Sequence, residues 1–354
     1  MLYLQLKMII KLKEFNKNNI EKLSKFLESK RKIVLTPHVN PDGDAIGSAL
    51  GLFHILKNIG HSVTVVTPNE YPDFLQWLPG NELVMNHSKQ KNAVQKIIDE
   101  ADLIFALDFN HLDRTDKLEN IFMNSKALKI MIDHHPEPQE FADIIFSETK
   151  VSSTSELVYL LIKELDLLEK IDINAATCLY TGIMTDTGRF NYNCSHPTTL
   201  KVASELIAYK INTDRISSLV YDNFSADRMQ LMGYSLHEKM KIYPEFNTAI
   251  IPLDKSELKR FNYKPGDTEG FVNLPLSING IVFSILLLEK NDHVKLSLRS
   301  RGNFPANKFA INHFDGGGHL NAAGGQSNLS LENTLIKIDE LLLKYKSELI
   351  NSSY

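Results

Sequence analysis

The sequence predicts an α/β fold with an N-terminal, mostly parallel sheet carrying helices on both faces, plus a smaller C-terminal α+β domain. Short apolar runs alternate with segments of helical periodicity through the first half of the chain. From about residue 243, strands separated by turn-rich segments replace this alternation. We therefore predict an N-terminal domain over 19–211, a helical linker over 212–242 and a C-terminal domain over 243–350.

The N-terminal elements follow from hydrophobic periodicity and from capping residues. A helix over 16–29 precedes a short buried strand at 33–35. Asp44 is expected to cap the next helix, which runs to about Asn58 and ends at Gly60. The remaining predicted elements are strands at 61–67, 103–107, 128–132 and 144–146 and helices at 153–165 and 174–184.

The second half of the chain changes in character. Residues 195–240 are mainly helical in pattern. Strands are predicted at 248–252, 281–288 and 293–298, and a helix near 331–349 closes the chain. This order of elements is typical of a compact α+β domain.

Composition excludes several classes of protein. The 354 residues are 43% hydrophobic and 23% charged, which are ordinary values for globular domains, and the length suggests two of them. Lys and Arg total 39 against 43 Asp and Glu, a formal charge of -4. This balance argues against binding to long duplex DNA but permits a small basic pocket for a nucleotide or short oligomer.

Cysteine usage and the first residues bear on the compartment. Cys178 and Cys194 cannot build a disulfide framework or a thiolate zinc site, which favours a reducing cytoplasm. The opening segment MLYLQLKMII is apolar but short, and Lys7, Lys11 and Lys13 interrupt it and its continuation. We therefore predict neither a signal peptide nor a membrane span there.

Aspartate and histidine recur at or just after the ends of the apolar runs. Ligands bind beyond the carboxyl ends of strands in parallel sheets, and these residue types suit hard or borderline divalent metals. The carboxylates are too numerous for one metal to neutralise, which predicts a two-metal hydrolase acting on phosphate esters. The residues are His38, Asp42, Asp44, Asp108, Asp133, His134, His135 and Asp186.

Each of these motifs also has a simpler explanation. The turn at 38–44 is also typical of a surface loop with a helix cap. Asp108 is equally compatible with a helix cap or an ion pair to Arg114, and the histidine pair with a turn holding one satisfied histidine. Asp186 is also compatible with a solvated helix end, with the nearby Arg189 facing a phosphate or forming an ion pair.

The C-terminal domain carries a candidate phosphate-binding strand. Lys295, Ser297 and Arg299 alternate with apolar residues, so they share one face of a strand. Arg299 suits bidentate phosphate recognition, although a half-solvated edge strand explains the alternation as well.

A glycine cluster follows in the same domain. Gly316, Gly317 and Gly318 allow backbone amides to converge on an anion, and His319 adds a hydrogen-bond donor. The segment matches neither a P-loop nor a dinucleotide fingerprint. A flexible linker is the alternative, but the mixed composition of the residues that follow favours a binding site.

Together these segments resemble the DHH phosphoesterase superfamily. The glycine cluster resembles the DHH-associated C-terminal domain of nanoRNases and RecJ-type exonucleases. The closest resemblance is to the subgroup of bifunctional oligoribonucleases and 3′-phosphoadenosine 5′-phosphate (pAp) phosphatases. The segment 266–276 also resembles the sequences of that subgroup. The matching pieces are 38–44, Asp108, 133–135, 185–188 and 316–319.

The resemblance implies two Mn²⁺ ions, with Mg²⁺ as a substitute. One ion is expected on His38, Asp42 and Asp108. The other is expected on Asp44, Asp108, His134 and Asp186, with Asp108 as the bridge. His135 is expected beside the scissile phosphate as a charge stabiliser or proton donor. In the DHH-associated domain, the expected substrate-binding residues are Arg299, Gly316, Gly317, Gly318 and His319.

The implied function is hydrolysis of short oligoribonucleotides, of pAp, or of both, by two-metal activation of water in the cytoplasm. No long duplex and no membrane is expected as a partner, and assembly into a homodimer stays open. The main alternative is a phosphodiesterase for cyclic di-AMP or the linear dinucleotide pApA. A manganese pyrophosphatase, a RecJ-like DNA exonuclease and a nucleotide-binding regulator with a degenerate site are the remaining alternatives.

Overall fold

The computed structural model describes residues 15–352. They form two compact units that divide between Asn223 and Phe224. The division lies within the segment 212–242, and the proposed domain limits around it remain predictions. The opening segment MLYLQLKMII, for which neither a signal peptide nor a membrane span was predicted, lies outside the described residues.

The first unit is built on a six-stranded parallel sheet. Its strands are β1 Lys32–Pro37, β2 Ser62–Thr67, β3 Met85–Asn86, β4 Leu103–Leu107, β5 Leu128–Asp133 and β6 Ile144–Ser147. The strand order is β3-β2-β1-β4-β5-β6, so the chain reverses its direction of progress between β1 and β4. The loops that leave β1 and β4 therefore open a crevice at the carboxyl edge of the sheet.

Helices cover both faces of this sheet, because successive residues of its central strands are buried and point to opposite faces. Ile33 and Leu35 pack into one core with residues of α2, α5 and α6, and Val34 packs into the other core. The helices are α1 Lys17–Leu27, α2 Gly43–Ile59, α3 Lys91–Asp99, α4 Glu119–Asn124, α5 Thr154–Glu164, α6 Ile173–Asp186, α7 Pro197–Ile207 and α8 Thr213–Tyr221. The predicted fold class is confirmed for this unit.

The crossing of α2 and α6 depends on a glycine. A Cβ atom on Gly47 would lie 2.7 Å from the carbonyl oxygen of Cys178 and 2.8 Å from the amide nitrogen of Gly182. Both contacts are to backbone, which cannot rotate away. The close approach brings the helix that carries Asp44 against the helix that ends at Asp186.

We expect the substitution Gly47→Ala to destabilise the first unit by about 1–3 kcal/mol, because overpacking outweighs the better helix propensity of alanine. Urea unfolding followed by the fluorescence of Trp77, the single tryptophan, measures the change. Gly233→Ala is the control, because a Cβ there meets no atom within 4 Å. That variant should unfold at an unchanged or slightly higher urea concentration by circular dichroism. An unchanged midpoint for Gly47→Ala would contradict this account of the crossing.

The second unit is a mixed six-stranded sheet with helices. Its strands are β7 Lys241–Tyr243, β8 Thr248–Leu253, β9 Phe283–Glu289, β10 Val294–Ser300, β11 Gly317–His319 and β12 Ala322–Ser327. The order is β11-β12-β10-β9-β8-β7, and only the β8–β9 pair is parallel among these strands. The helices are α9 Ala226–Tyr234, α10 Lys255–Arg260, α11 Ala306–His313 and α12 Leu331–Asn351. This arrangement confirms the predicted α+β class.

Strands β11 and β12, with the sequences GGH and AAGGQS, have no strand signal in the sequence. The segment Ala322–Ser327, AAGGQS, lacks the β-branched and aromatic residues typical of strands. It becomes β12 because its backbone pairs with β10 on one side and with β11 on the other. Tertiary pairing decides this structure, and local propensity does not.

One predicted cap is wrong. Helix α2 begins at Gly43, and its N-cap is Asp42, whose Oδ1 accepts hydrogen bonds from the backbone N–H groups of Asp44 and Ala45. Asp44 therefore lies inside the first turn, and its side chain is left for another role. The predicted end of the helix at Gly60 is confirmed, with φ of 105° at that glycine.

No helix within residues 15–352 is both long enough and apolar enough to cross a bilayer.

Candidate active site

The loop after β1 places one imidazole and one carboxylate together. His38 Nδ1 lies 2.8 Å from the carbonyl oxygen of Val39, which fits donation of its proton to the backbone. His38 Nε2 is then turned toward Asp42 Oδ2 at 3.9 Å and Asp108 Oδ2 at 3.4 Å. This nitrogen is buried, and no residue in the described part of the chain completes a hydrogen bond to it. A histidine that donates one N–H to a carbonyl and presents its other nitrogen is typical of a metal ligand.

Asp44 is held in place from a distant part of the chain. Its Oδ2 accepts a hydrogen bond from the backbone N–H of Thr154 at 2.6 Å, and its Oδ1 accepts one from Ser155 at 2.8 Å. Both donors belong to the first turn of α5, where unpaired N–H groups and the helix dipole favour a carboxylate. Asp44 Oδ2 also lies 4.0 Å from His134 Nε2.

Asp108 directs its two oxygens in different directions. Its Oδ2 faces His38 at 3.4 Å, and its Oδ1 faces His134 Nε2 at 3.6 Å. The hydroxyl of Thr154 donates to Oδ1 at 3.0 Å. The backbone of Asp108 has φ of 64°, a left-handed conformation that is unusual outside glycine and is often found at functional sites. The carboxylate is therefore placed where one oxygen could serve each of two ions.

His134 and Asp186 complete the group. His134 follows β5 directly, and its Nε2 lies 3.5 Å from Asp186 Oδ2. Asp186 is the last residue of α6. The structure thus brings together four segments that are far apart in the sequence. They meet at the carboxyl edge of the sheet, where the loops that leave β1 and β4 diverge.

Two overlapping sets of atoms that could ligate a metal ion result, and we call them the donor sets. His38, Asp42 and Asp108 form one set, and Asp44, Asp108 and His134 form the other, with the donor atoms of each set within 4.8 Å of one another. Imidazole nitrogen combined with carboxylate oxygen suits Mn²⁺, Mg²⁺ or a similar divalent ion. The shared carboxylate of Asp108 fits a centre of two ions.

The electrostatics of the cluster also fit a cation. Burial, together with the charges of Asp108 and Asp186, raises the pKa of Asp44 well above its usual value. Burial lowers the pKa of His134, but the surrounding carboxylates outweigh it and raise that pKa to about 9. Burial likewise opposes ionisation of Asp108, but the three neighbouring imidazoles lower its pKa below the usual range. Carboxylates this close repel one another, and a bound divalent cation would neutralise that repulsion.

His135 makes a separate set of contacts. Its Nδ1 lies 2.7 Å from Asp133 Oδ1, and its backbone N–H donates to Asp133 Oδ2 at 2.9 Å. Its Nε2 lies 3.1 Å from Nη1 of Arg114. Burial lowers the pKa of His135 despite the opposing effect of Asp133, which favours a neutral ring. The predicted role of His135 beside the scissile phosphate remains a prediction.

The sequence left open whether Arg114 pairs with Asp108 and whether Arg189 faces a phosphate or forms an ion pair. The structure shows the contacts of both arginines. Arg114 contacts His135, and within the described residues it forms no ion pair with Asp108. Arg189 Nη2 lies 3.1 Å from Asp222 Oδ1, and its guanidinium stacks over the ring of Tyr221. Arg189 therefore forms the ion pair.

The supporting residues Thr154 and Ser155 were missed by reasoning from the sequence. Two of their three hydrogen bonds come from backbone N–H groups, which carry no residue-specific signal, and the third comes from the hydroxyl of Thr154. The available signal was the polar run SSTSE at 152–156, which follows β6 and opens an otherwise apolar helix. Such a run combines a helix N-terminus with hydroxyl donors and marks a candidate anion or carboxylate site.

In the second unit, two predicted substrate-binding residues share a face. Arg299 of β10 is paired in register with Ala322 of β12, and Ala322 is paired with His319 of β11. Directly paired residues of adjacent strands project from the same side of a sheet. The side chains of Arg299 and His319 therefore lie on one face, two strands apart. The apolar residues that alternate with Arg299 are buried, as predicted.

The glycine cluster has a packing role in addition to the predicted anion site. A Cβ on Gly316 would lie 2.1 Å from the carbonyl oxygen of Gly324, and one on Gly318 would lie 2.4 Å from that of Ala322. Gly318 also has φ of 135°. Close approach of β11 to β12 thus requires glycine at these positions. Anion binding by the glycine amides remains a prediction.

Comparison with known proteins identifies the family. Residues 32–183 match the family profile described as the DHH family N-terminal domain, and residues 249–349 match the DHHA1 domain. A Thermus thermophilus protein named bifunctional oligoribonuclease and PAP phosphatase NrnA is 30% identical over 327 residues. That match covers 91% of this chain and 91% of the relative. The chain belongs to the DHH phosphoesterase family. The predicted resemblance is thereby confirmed.

A second similar sequence and one similar crystal structure extend this result. A Bacillus subtilis protein with the same NrnA name is 28% identical over 293 residues, covering 82% of this chain and 88% of the relative. The crystal structure of an exopolyphosphatase-related protein from Bacteroides fragilis is 44% identical, with a TM-score of 0.91. That match covers 95% of this chain and 99% of the other. DHH phosphoesterases depend on metal ions, which agrees with the donor sets described above.

Proposed function

We propose that this DHH phosphoesterase hydrolyses short oligoribonucleotides and pAp with the help of two divalent metal ions. The observation that carries the proposal is the pair of donor sets joined by Asp108. A single carboxylate with one oxygen toward each set is the arrangement that a bridged two-metal centre needs. The names of the relatives from Thermus thermophilus and Bacillus subtilis support the choice of substrates.

The proposed ligands follow the donor sets. His38, Asp42 and Asp108 would hold one ion, and Asp44, Asp108, His134 and Asp186 would hold the other. Mn²⁺ is the proposed metal, with Mg²⁺ as a substitute, because imidazole nitrogen tilts the preference toward manganese. When bound, two such ions lower the pKa of water and offset the charge of a phosphoryl group.

The chain itself orients this centre. Val39 fixes the ring of His38, and the first turn of α5 fixes Asp44. Thr154 fixes Asp108 through its hydroxyl. The hydrogen bonds to Asp44 and Asp108 are buried and the one to His38 is partly buried, so the ligand atoms are held in position before a substrate arrives.

In the second unit, we propose that Arg299 and His319 bind the nucleotide portion of the substrate. The support is their common face on the sheet and the chemistry of their side chains. Gly316, Gly317 and Gly318 are proposed to add backbone amides to the same site. The cytoplasmic location remains a prediction that follows from the two free cysteines.

A substrate panel tests the proposed function. The purified full chain, loaded with Mn²⁺, is offered RNA of two to five nucleotides, pAp, pApA, cyclic di-AMP, pyrophosphate and long double-stranded DNA. We expect the highest kcat/KM for short RNA and pAp. Preference for pApA or cyclic di-AMP would replace the proposal with the dinucleotide alternative, and absence of hydrolysis of every substrate would refute it.

A second candidate substrate comes from the structural comparison. The Bacteroides fragilis protein, at 44% identity, is named as exopolyphosphatase-related. Inorganic polyphosphate therefore belongs in the same panel. It presents phosphoric anhydride bonds without a nucleoside, so Arg299 and His319 would have only phosphate to contact. Faster hydrolysis of polyphosphate than of short RNA and pAp would favour this candidate.

We expect Arg299→Ala to raise KM for short RNA by about 10-fold or more, because a charge-assisted hydrogen bond contributes about 1.5–3 kcal/mol. Metal content should stay unchanged, since the proposed ligands all belong to the first unit. Arg260→Ala is the control, because it removes the same charge from an exposed helix of the same unit. Loss of metal from Arg299→Ala, or an unchanged KM, would show that Arg299 has another role.

A further inference from the structure

Arg114 lies on a segment that contacts the loop after β1, which carries His38, and the loop after β5, which follows His134. The segment, Leu112–Leu118, follows β4 and consists of short 3₁₀-helical turns interrupted by a kink at Asp116, where φ is 50°. The carbonyl oxygen of Arg114 accepts a hydrogen bond from the N–H of Val39 at 2.6 Å. His111, just before the segment, lies 3.1 Å from the carbonyl oxygen of Glu137 through its Nε2. The backbone of Arg114 is thus anchored beside the loop of His38 and close to the loop that follows β5.

The guanidinium of Arg114 ends a chain of three side chains. Asp133 is fully buried and accepts from Nδ1 of His135, while Nε2 of His135 lies 3.1 Å from Arg114 Nη1. A guanidinium has only donors, so Nε2 must be the acceptor and Nδ1 must carry the proton. His135 is therefore a neutral ring with a fixed tautomer, and both of its nitrogens have partners.

The charge of Arg114 is not neutralised by a carboxylate. Carboxylates crowd this region, yet among the described residues Arg114 forms no ion pair within 4.0 Å. Within the described part of the chain, its side chain forms a hydrogen bond to His135. The His135 ring that it contacts lies beside Asp108, with His135 Nδ1 3.7 Å from Asp108 Oδ1. A half-buried cation beside the donor sets can therefore still bind an anion.

We propose that Arg114 binds the phosphoryl group of the substrate and that His135 is a positioning residue that acts through it. The inference rests on the proposed function and refines it. Asp133 orients His135, and the Nε2 lone pair of His135 holds one arm of the guanidinium. Its other N–H groups have no hydrogen-bond partner within residues 15–352, and they can form the paired hydrogen bonds that phosphate oxygens accept. On this account, His135 does not donate a proton to the substrate.

Kinetics of Arg114 variants test the first half of the proposal. Arg114→Met should raise KM for pAp by about 10- to 100-fold, the range expected when a charge-assisted hydrogen bond is lost. It should also weaken the binding of inorganic phosphate to the Mn²⁺-loaded protein by a similar factor, measured by calorimetry. Arg114→Lys, which keeps the charge but lacks the planar fork, should recover part of both losses. Metal content should equal that of the unchanged protein in each variant.

Arg31→Met is the matched control. Arg31 lies just before β1, at the end of the strand opposite His38, and its Nε donates to the carbonyl oxygen of Phe26 at 3.1 Å. Its loss removes the same charge and the same side chain from the first unit. KM and phosphate affinity should therefore stay unchanged. Circular dichroism of each variant checks that the fold is retained.

Variants of His135 test the second half. The amide oxygen of His135→Gln can still accept from Arg114, whereas His135→Ala offers no acceptor. A positioning role predicts that glutamine retains several-fold more kcat/KM than alanine and that the change lies mainly in KM. It also predicts that the double variant Arg114→Met, His135→Ala is no worse than Arg114→Met alone. Equal losses in kcat for glutamine and alanine, or losses that multiply in the double variant, would overturn it.

The outcomes separate this inference from the proposed function. If the unchanged protein hydrolyses none of the panel, the proposed function fails, and phosphate binding still reports on Arg114. If the protein is active while Arg114→Met matches Arg31→Met in KM and in phosphate affinity, the role of Arg114 alone is refuted.

Discussion

Asp108→Asn is expected to lower kcat by about 10³-fold or more while leaving the protein folded. Asp108 Oδ1 and Oδ2 lie 3.6 Å and 3.4 Å from the imidazoles of the two donor sets. An amide is uncharged and offers one oxygen, so it cannot serve both sets. A catalytic metal contributes several kcal/mol to lowering the barrier, and about 4 kcal/mol corresponds to about 10³-fold in rate.

The same substitution tests whether Asp108 has a catalytic or a structural role. In the metal-free protein it relieves the repulsion between Asp108 and Asp44, which raises the pKa of Asp44. It also removes the attraction between Asp108 and the three neighbouring imidazoles, which lowers the pKa of Asp108. Because these two effects oppose each other, thermal unfolding in the presence of a chelator should show only a small change in midpoint. A fall large enough to unfold the protein at the assay temperature would point to a structural role instead.

Asp102→Asn is the matched control for Asp108→Asn. Asp102 immediately precedes β4, and Asp108 immediately follows it, so the two residues lie at opposite ends of one strand. Asp102 Oδ2 accepts a hydrogen bond from the backbone N–H of Lys32 at 2.8 Å, at the edge of the sheet away from the donor sets. Its substitution should leave kcat and KM unchanged. A loss as large as that of Asp108→Asn would contradict the assignment of the bridge.

Removal of metal is expected to reduce turnover of short RNA and pAp to background, with recovery on addition of Mn²⁺ and a smaller recovery with Mg²⁺. The proposed ligands supply the negative charge of the site, and without a cation that charge repels a phosphate ester. Chelation followed by dialysis and titration of each metal measures the effect. Full activity in the presence of excess chelator would refute a metal-dependent mechanism.

Binding can be observed without turnover. An ion that binds only the folded protein stabilises it, by about 2.7 kcal/mol at a concentration 100 times its dissociation constant. Mn²⁺ should therefore raise the unfolding midpoint of the metal-free protein. Asp108→Asn should show a much smaller rise, because it removes a ligand from both donor sets, whereas Asp102→Asn should respond like the unchanged protein. Equal rises in all three would place the metal elsewhere.

Much of the fold was predictable because its signals are local. Buried runs such as Leu103–Leu107 and amphipathic segments such as Leu331–Asn351 show their periodicity in a short window of sequence. The alternation of strands and helices then predicts a parallel sheet, and the carboxyl edge of such a sheet is where ligands bind. Residue type and position relative to the strands were therefore enough to select the candidate ligands.

The roles of individual side chains required the tertiary structure. Asp42 and Asp44 are two residues apart and chemically identical, yet Asp42 caps α2 while Asp44 is held by α5. Sequence alone predicts the cap at the wrong aspartate, because the partners of Asp44 are more than a hundred residues away along the chain. Hydrogen bonds of this kind leave no periodic signal.

The sequence by itself determined the family, the class of fold and the chemical types gathered at the edge of the first sheet. Only the tertiary structure decided the left-handed backbone of Asp108, the partner of Arg114 and the strand formed by Gly317–His319. Local propensities and motifs depend on neighbouring residues, and sequence encodes them directly. Side-chain direction and strand pairing depend on contacts between distant segments, and these exist only once the chain has folded.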